Sequence, residues 1–150
     1  VTNDPAPLPT IGWKERIDLP DWGVRRLRAK IDTGARTSAL HVARYDLSDD
    51  GATVRLWLDL DPRHPEPVER TLPVVRIATV RSSIGMRERR PVVTVAVRLG
   101  AVVVPVEFTL TNRERMRYRV ILGRRALAGR FAIDPGRAYL LPRPSRRNRP

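Results

Sequence analysis

The sequence predicts a mostly β domain, either a barrel or a sheet folded over on itself. Three observations carry that expectation: short β-branched runs punctuated by turns, scarce helix signals, and no long crossovers of the kind that join parallel strands. In chain order, residues 1–10 read as an N-terminal tail, because Pro5, Pro7 and Pro9 deny the backbone regular pairing. The folded domain is expected over 11–141. Ala29 and Ile31 form an apolar strand end that delivers Asp32, Thr33 and Gly34 into a turn. Residues 53–60 alternate, with Val54 and Leu56 on one face, and 72–80 is rich in Val and Ile; both read as strands. Segments 70–80 and 91–99 flank Ser82-Ser83-Ile84-Gly85-Met86, which predicts a hairpin with Gly85 supplying the positive φ of its tip. Segments 91–99 and 102–110 form a second hairpin through Gly100-Ala101. The best helix signal is 124–128, closed by Gly129. Asp134 fits a polar turn between two C-terminal strands, and 142–150 reads as a basic Pro/Arg-rich tail.

Composition removes several kinds of chemistry. A chain of 150 residues buries a core without staples, and the absence of Cys excludes disulfides, thiolate metal sites and a cysteine nucleophile. The two histidines, His41 and His64, lie in no H-E-x-x-H pattern, so no metal site and no cofactor are expected. Charge is the strongest compositional signal: 29 Lys+Arg against 16 Asp+Glu give +13. Lys14 and Lys30 are the only lysines, so the excess is arginine. It reads either as a solvated surface on which Arg stems cover apolar area, or as a field for an anionic partner. Only 5% of residues are aromatic and no nucleic-acid module is recognisable, so nucleic acid is not the favoured partner. No stretch approaches the roughly eighteen apolar residues of a membrane span, and residues 1–9 lack a signal pattern, which suggests a cytoplasmic protein.

Two segments carry the chemistry. Taken alone, Asp32-Thr33-Gly34-Ala35 is a common Asp-Gly turn, and Ile121-Leu122-Gly123-Arg124 is an ordinary strand-to-helix junction. Together and in this order they resemble the retropepsin-like aspartic peptidases, in which an apolar strand ends in Asp-Thr-Gly-Ala and a later apolar-apolar-Gly-Arg segment packs beside it. The 82–86 hairpin lies where that family has its substrate-covering flap. A closer resemblance is to the bacterial family labelled ATP-dependent zinc proteases, linked to ATP-grasp enzymes that add glutamate tails to proteins. It is carried by Ile11-Gly12-Trp13, residues 29–41, 89–93 and 110–113, Met116-Arg117-Tyr118, and residues 122–127. That label implies zinc and ATP, yet the sequence has no G-x-x-x-x-G-K-[ST] pattern and lacks ligands for a closed zinc site.

The resemblance implies a retropepsin-like barrel with a flap hairpin and one short C-terminal helix. It also implies an aspartic dyad, in which two carboxyls share one proton. This chain has one Asp-Thr-Gly; Asp134-Pro135-Gly136 and Asp50-Gly51 lack the hydroxyl residue. A homodimer is therefore expected, each copy giving Asp32, Thr33 and Gly34 to catalysis, with Ala35, Arg36, Ser83, Ile84, Gly85 and Arg124 against substrate. One position departs from the pattern. Viral retropepsins carry an acid after Asp-Thr-Gly-Ala that pairs with the Arg of the Gly-Arg segment, whereas here the residue is Arg36. Arg36 and Arg124 need an anion, supplied either by a structural acid such as Glu107 or Asp134 or by an acidic substrate. His41 reads as a hydrogen-bonded structural residue.

The functional expectation is an aspartic peptidase acting on peptide or isopeptide bonds in acidic, glutamate-rich protein segments, linked to an ATP-grasp glutamate ligase. The rivals are a non-catalytic basic module docking RNA or the ribosome, and a zinc metallopeptidase.

Overall fold

A computed structural model describes residues 6–61, 63, 66–81 and 84–143. In chain order the strands are β1 (Thr10–Gly12), β2 (Lys14–Leu19), β3 (Val24–Ile31), β4 (Ser38–His41), β5 (Arg44–Leu47), β6 (Thr53–Leu58), β7 (Val68–Pro73), β8 (Arg76–Arg81), β9 (Arg87–Leu99), β10 (Val102–Thr111), β11 (Val120–Leu122) and β12 (Ala132–Asp134). Helix α1 (Arg124–Leu127) separates the last two, and a 3-10 turn spans Pro20–Trp22. Six strands close a barrel in the order β10-β4-β11-β3-β2-β9, with β9 pairing back onto β10. The architecture is the mostly β, retropepsin-like barrel expected from the sequence.

Period-two patterning builds the wall. β9 reads exposed over Arg87–Arg89 and turns to alternation beyond Val92, while β6 alternates with Val54, Leu56 and Leu58 inward. Phe108, Ile17, Leu40, Leu99, Leu110 and Leu122 are fully buried in the interior. Each such side chain contributes about 1.5–3 kcal/mol relative to exposure, which fixes the register, because a one-residue slip would turn the set outward.

Several elements differ from the sequence reading. Segment 72–80 is two strands: β7 ends at Pro73, which has no N–H, and the next two N–H groups turn to different partners, Val74 to Ala52 O at 2.9 Å and Val75 to Val92 O at 2.8 Å. β7 therefore joins a three-stranded sheet with β5 and β6, whereas β8 pairs with β9 as the flap. β9 starts at Arg87 instead of 91, because a charged, solvent-facing arm hides its strand character in the sequence. The strand expected over 53–60 stops at Leu58, and the helix stops at Leu127. Asp134 closes β12 and its Oδ1 accepts the Gly136 N–H at 2.9 Å; one strand precedes this turn, and among the described residues none follows. Parallel pairs also occur, β4 with β10, β3 with β11 and β1 with β12, although no long helical crossover joins them.

The C-terminal segment straps the barrel through one buried acid. Glu15 on β2 is 1% exposed; its Oε1 accepts the Gly12 N–H at 3.0 Å and the Leu140 N–H at 2.7 Å, while Oε2 takes the Leu141 N–H at 3.3 Å. Glu15→Ala strands the buried Gly12 donor at about 1–3 kcal/mol and frees the half-buried Leu140 and Leu141 donors, so the urea midpoint falls by more than an exposed Glu88→Ala control. Equal midpoints for the two variants would refute this role.

Candidate active site

β11 is inserted between β3 and β4, the two strands that flank the Asp32 loop. Its Leu122 lies beside Ile31 in parallel register, and its Ile121 lies beside Ala39 in antiparallel register. The chain from Asp32 to Thr37 must then cross over the end of β11. It does so at Gly123, where an added Cβ would sit 2.4 Å from Thr37 O and 2.9 Å from Ala35 O, so no side chain fits. Hydrogen bonds stitch the crossing: Asp32 N–H to Leu122 O at 2.9 Å, Arg124 N–H to Ala35 O at 2.8 Å, Arg125 N–H to Arg36 O at 3.1 Å, and Gly123 N–H to Ser38 Oγ at 3.0 Å.

Within this frame Asp32 is half-buried, and its Oδ1 accepts the Gly34 N–H at 3.0 Å, which orients the carboxyl. Thr33 and Gly34 are exposed, and the Thr33 carbonyl accepts Arg124 Nη1 at 2.9 Å. That bond draws Asp32-Thr33-Gly34-Ala35 together with Arg124 in one junction. The Thr33 hydroxyl has no partner among the described residues. Ile84 is 79% exposed and Gly85 has φ 83° at the end of the β8–β9 hairpin; Ser83 lies outside the described residues.

Neither acid expected to neutralise the arginines does so. Glu107 Oε2 pairs with Arg76 Nη2 at 3.5 Å, and Asp134 is engaged by its own turn. The exposed Arg36 guanidinium has no hydrogen bond or ion pair among the described residues, while Arg124 is satisfied by a carbonyl. More positive charge arrives from places that the sequence did not flag. Arg113, in the 112–119 loop, is half-buried; desolvation holds its guanidinium below the usual range, Arg90 pushes it the same way, and Asp32 pushes it back. Arg113 Nε donates to Tyr118 O at 3.0 Å, and Trp13, whose carbonyl accepts the Ile31 N–H at 2.8 Å, packs edge-on against Tyr118. No local pattern announces Arg113, which lies 81 positions from Asp32 in the chain and is tied to the site side of the barrel through Tyr118 and Trp13.

The zinc suggested by the sequence label does not fit these residues. Among the described residues no three His, Cys, Asp or Glu side chains cluster to hold a metal ion. His41 has Nδ1 engaged by the Arg113 N–H at 2.7 Å and Nε2 facing Asp59 at 2.5 Å, and His64 lies outside the described residues.

A family model described as retropepsin-like aspartic endopeptidase RimB matches residues 10–144. The chain belongs to the RimB-like family. A crystal structure of a Legionella pneumophila protein of unknown function (DUF785) shares 28% identity and a TM-score of 0.70 over 88% of this chain and 97% of its own. Curated relatives named "Probable alpha-L-glutamate ligase" match at 34% identity in Parasynechococcus marenigrum and 33% in Shewanella pealeana, over 87% of this chain. The RimB-like chain spans only 29% of the length of those relatives. Among its described residues no helix is long and apolar enough to cross a membrane.

The Gly123 crossing makes a direct prediction. Gly123→Ala forces the Asp32 loop off β11, lowering stability by about 1–3 kcal/mol, the usual penalty of overpacking. Chemical denaturation measures it, and a variant as stable as the parent would show that the loop does not pack as described.

Proposed function

We propose that this RimB-like chain is a homodimeric aspartic peptidase that hydrolyses peptide or isopeptide bonds in acidic, glutamate-rich protein segments. The observation that carries the reading is the junction in which Asp32 leaves β3, is oriented by the Gly34 N–H, and is locked over Gly123 with Arg124. One such carboxyl per chain is half of a dyad, so a second copy across a two-fold axis supplies the other. Thr33 would then bond across that axis, Gly34 and Ala35 would lie along the substrate backbone, and the tip at Ser83, Ile84 and Gly85 would close over it.

In the dimer the two Asp32 carboxyls hold a single proton, since two charges at about 3 Å cannot both persist. The ionised carboxyl takes a proton from water as its oxygen attacks the scissile carbonyl carbon, and the other gives its proton to the carbonyl oxygen. Collapse of the tetrahedral species breaks the C–N bond, and the proton taken from water passes to the leaving nitrogen. The products are a carboxylic acid and an amine.

Arg36, exposed beside the Asp32 loop and without a hydrogen bond or ion pair among the described residues, supports an acidic substrate. An Arg fork grips a carboxylate with two parallel hydrogen bonds. The relatives named as glutamate ligases contain a region similar to this chain within a much longer protein, which supports a functional link to glutamate-tail synthesis.

Asp32→Asn is expected to abolish hydrolysis of a glutamate-tailed peptide without shifting the denaturation midpoint downward. Added in excess, the same variant should depress wild-type turnover, because a mixed dimer has one carboxyl. Residual turnover in the purified variant sinks the aspartic mechanism, and an undiminished mixture sinks the dimer. Separately, Arg36→Ala should lower the ratio of acidic to neutral peptide turnover by about tenfold or more, the worth of one charge-assisted bond of about 1.5–3 kcal/mol. An unchanged ratio would remove Arg36 from substrate recognition.

A further inference from the structure

Two ionisable side chains are fully buried among the described residues, Glu15 and His41. Glu15 holds the C-terminal strap, whereas His41, at the end of β4, grips the loop that carries Arg113. His41 Nδ1 accepts the Arg113 backbone N–H at 2.7 Å, so the ring proton must reside on Nε2. Nε2 faces Asp59 Oδ1 at 2.5 Å, close enough for the carboxylate to favour that tautomer. Asp59 is held in turn: Arg119 Nη1 lies 3.2 Å from Oδ2 and also donates to the Asp59 carbonyl, and the Arg119 carbonyl accepts the His41 N–H at 2.8 Å. Beside this anchor, Asn112 Nδ2 donates to Ala43 O at 3.2 Å and Arg113 Nε to Tyr118 O at 3.0 Å.

We propose that His41, kept in its Nε2–H tautomer by Asp59, is a positioning residue that fixes the Arg113 loop so that the guanidinium stands at the Asp32 cleft to receive a substrate carboxylate. The inference rests on the acidic-peptidase reading. It adds a residue that touches neither substrate nor the reacting atoms and acts through Arg113.

The arrangement also sets a pH limit. A proton on Nδ1 would face the Arg113 N–H, two donors against each other, and the loop would lose its anchor. Burial holds His41 below its ordinary 6.5; Asp59 and, more weakly, Glu114 favour the cation, while Arg119 opposes it. Because the folded value lies below the unfolded one, the anchoring contribution is fully present above about 6.5 and is lost as pH falls through the lowered folded value. Loss of the anchor is therefore an acid-side event.

Binding measured without turnover separates this inference from the peptidase reading. In the Asp32→Asn protein, fluorescence anisotropy compares fluorescein-labelled pentaglutamate with pentaglutamine, and ring-nitrogen NMR reads the His41 tautomer between about pH 6 and 8. The parent should show the Nε2–H tautomer and prefer pentaglutamate. His41→Leu should reduce that preference about tenfold, while His41→Asn, whose carbonyl can still accept the Arg113 N–H, should recover most of it. Asp59→Asn keeps the imidazole, allows the proton to move to Nδ1, and should reduce the preference in proportion to the tautomer switch. In the catalytically active background the loss should fall more on KM than on kcat. An Nδ1–H tautomer in the parent, a tautomer switch without any change in preference, or parent-like preference in a folded His41→Leu protein would each overturn the proposal. Absence of hydrolysis in the wild type, with these binding results intact, would instead overturn only the peptidase reading.

Discussion

Everything at the site depends on the chain between Asp32 and Thr37 passing over the backbone of Gly123. With β11 between β3 and β4, the connection from β3 to β4 cannot be a simple hairpin and must bridge the inserted strand. The bridge is tolerable because Gly123 lacks a Cβ and because hydrogen bonds tie the two segments together: Leu122 O, Ala35 O and Arg36 O accept, and Ser38 Oγ satisfies the Gly123 N–H. A buried donor left unmatched there would cost about 1–3 kcal/mol. The crossing holds the Asp32 carboxyl immediately past the end of β3.

The arginine excess of a chain carrying +13 extends to the site. Acids near the arginines are committed elsewhere: Glu107 to Arg76, Glu88 to Arg90, and Asp59 to Arg119 and His41. Arg36 is left without a partner among the described residues, and burial and the nearby Arg90 both act against the charge of Arg113.

Much of the fold was legible because it is written in local period-two patterns and turn residues. The 102–110 strand and its Gly100 turn, the hairpin ending at Gly85 and the helix at Arg124 each follow from neighbouring residues. What was not legible is non-local. The strand expected over 72–80 changes sheets at Pro73, because the destination of Val75 is Val92, which nothing within the segment specifies. The charged arm Arg87–Arg90 carries no apolar alternation, because a flap exposed on both faces needs none. At the site, Asp32 and Gly123 were recognisable as a pair of motifs, whereas Arg113, Asp59 and Arg119 enter through tertiary contacts between loops. His41 was read as a hydrogen-bonded structural residue from its neighbourhood alone, and the identity of its partners had to come from three dimensions.

β9 is one uninterrupted strand whose C-terminal part is barrel wall and whose N-terminal part is flap arm. The change occurs at Pro91, where burial begins and the ladder to Ile77 lacks an N–H. Mechanically this is a cantilever clamped in the barrel. From Pro91 to Gly85 the arm is six residues, or about 20 Å at ~3.3 Å per residue, so a bend of about 10° at the clamp sweeps the tip by roughly 3 Å. A displacement of that size is about one water diameter. Strain in the barrel wall, where β9 pairs with β10, would thus be geared up at the far end of the same strand into a movement of the hairpin tip.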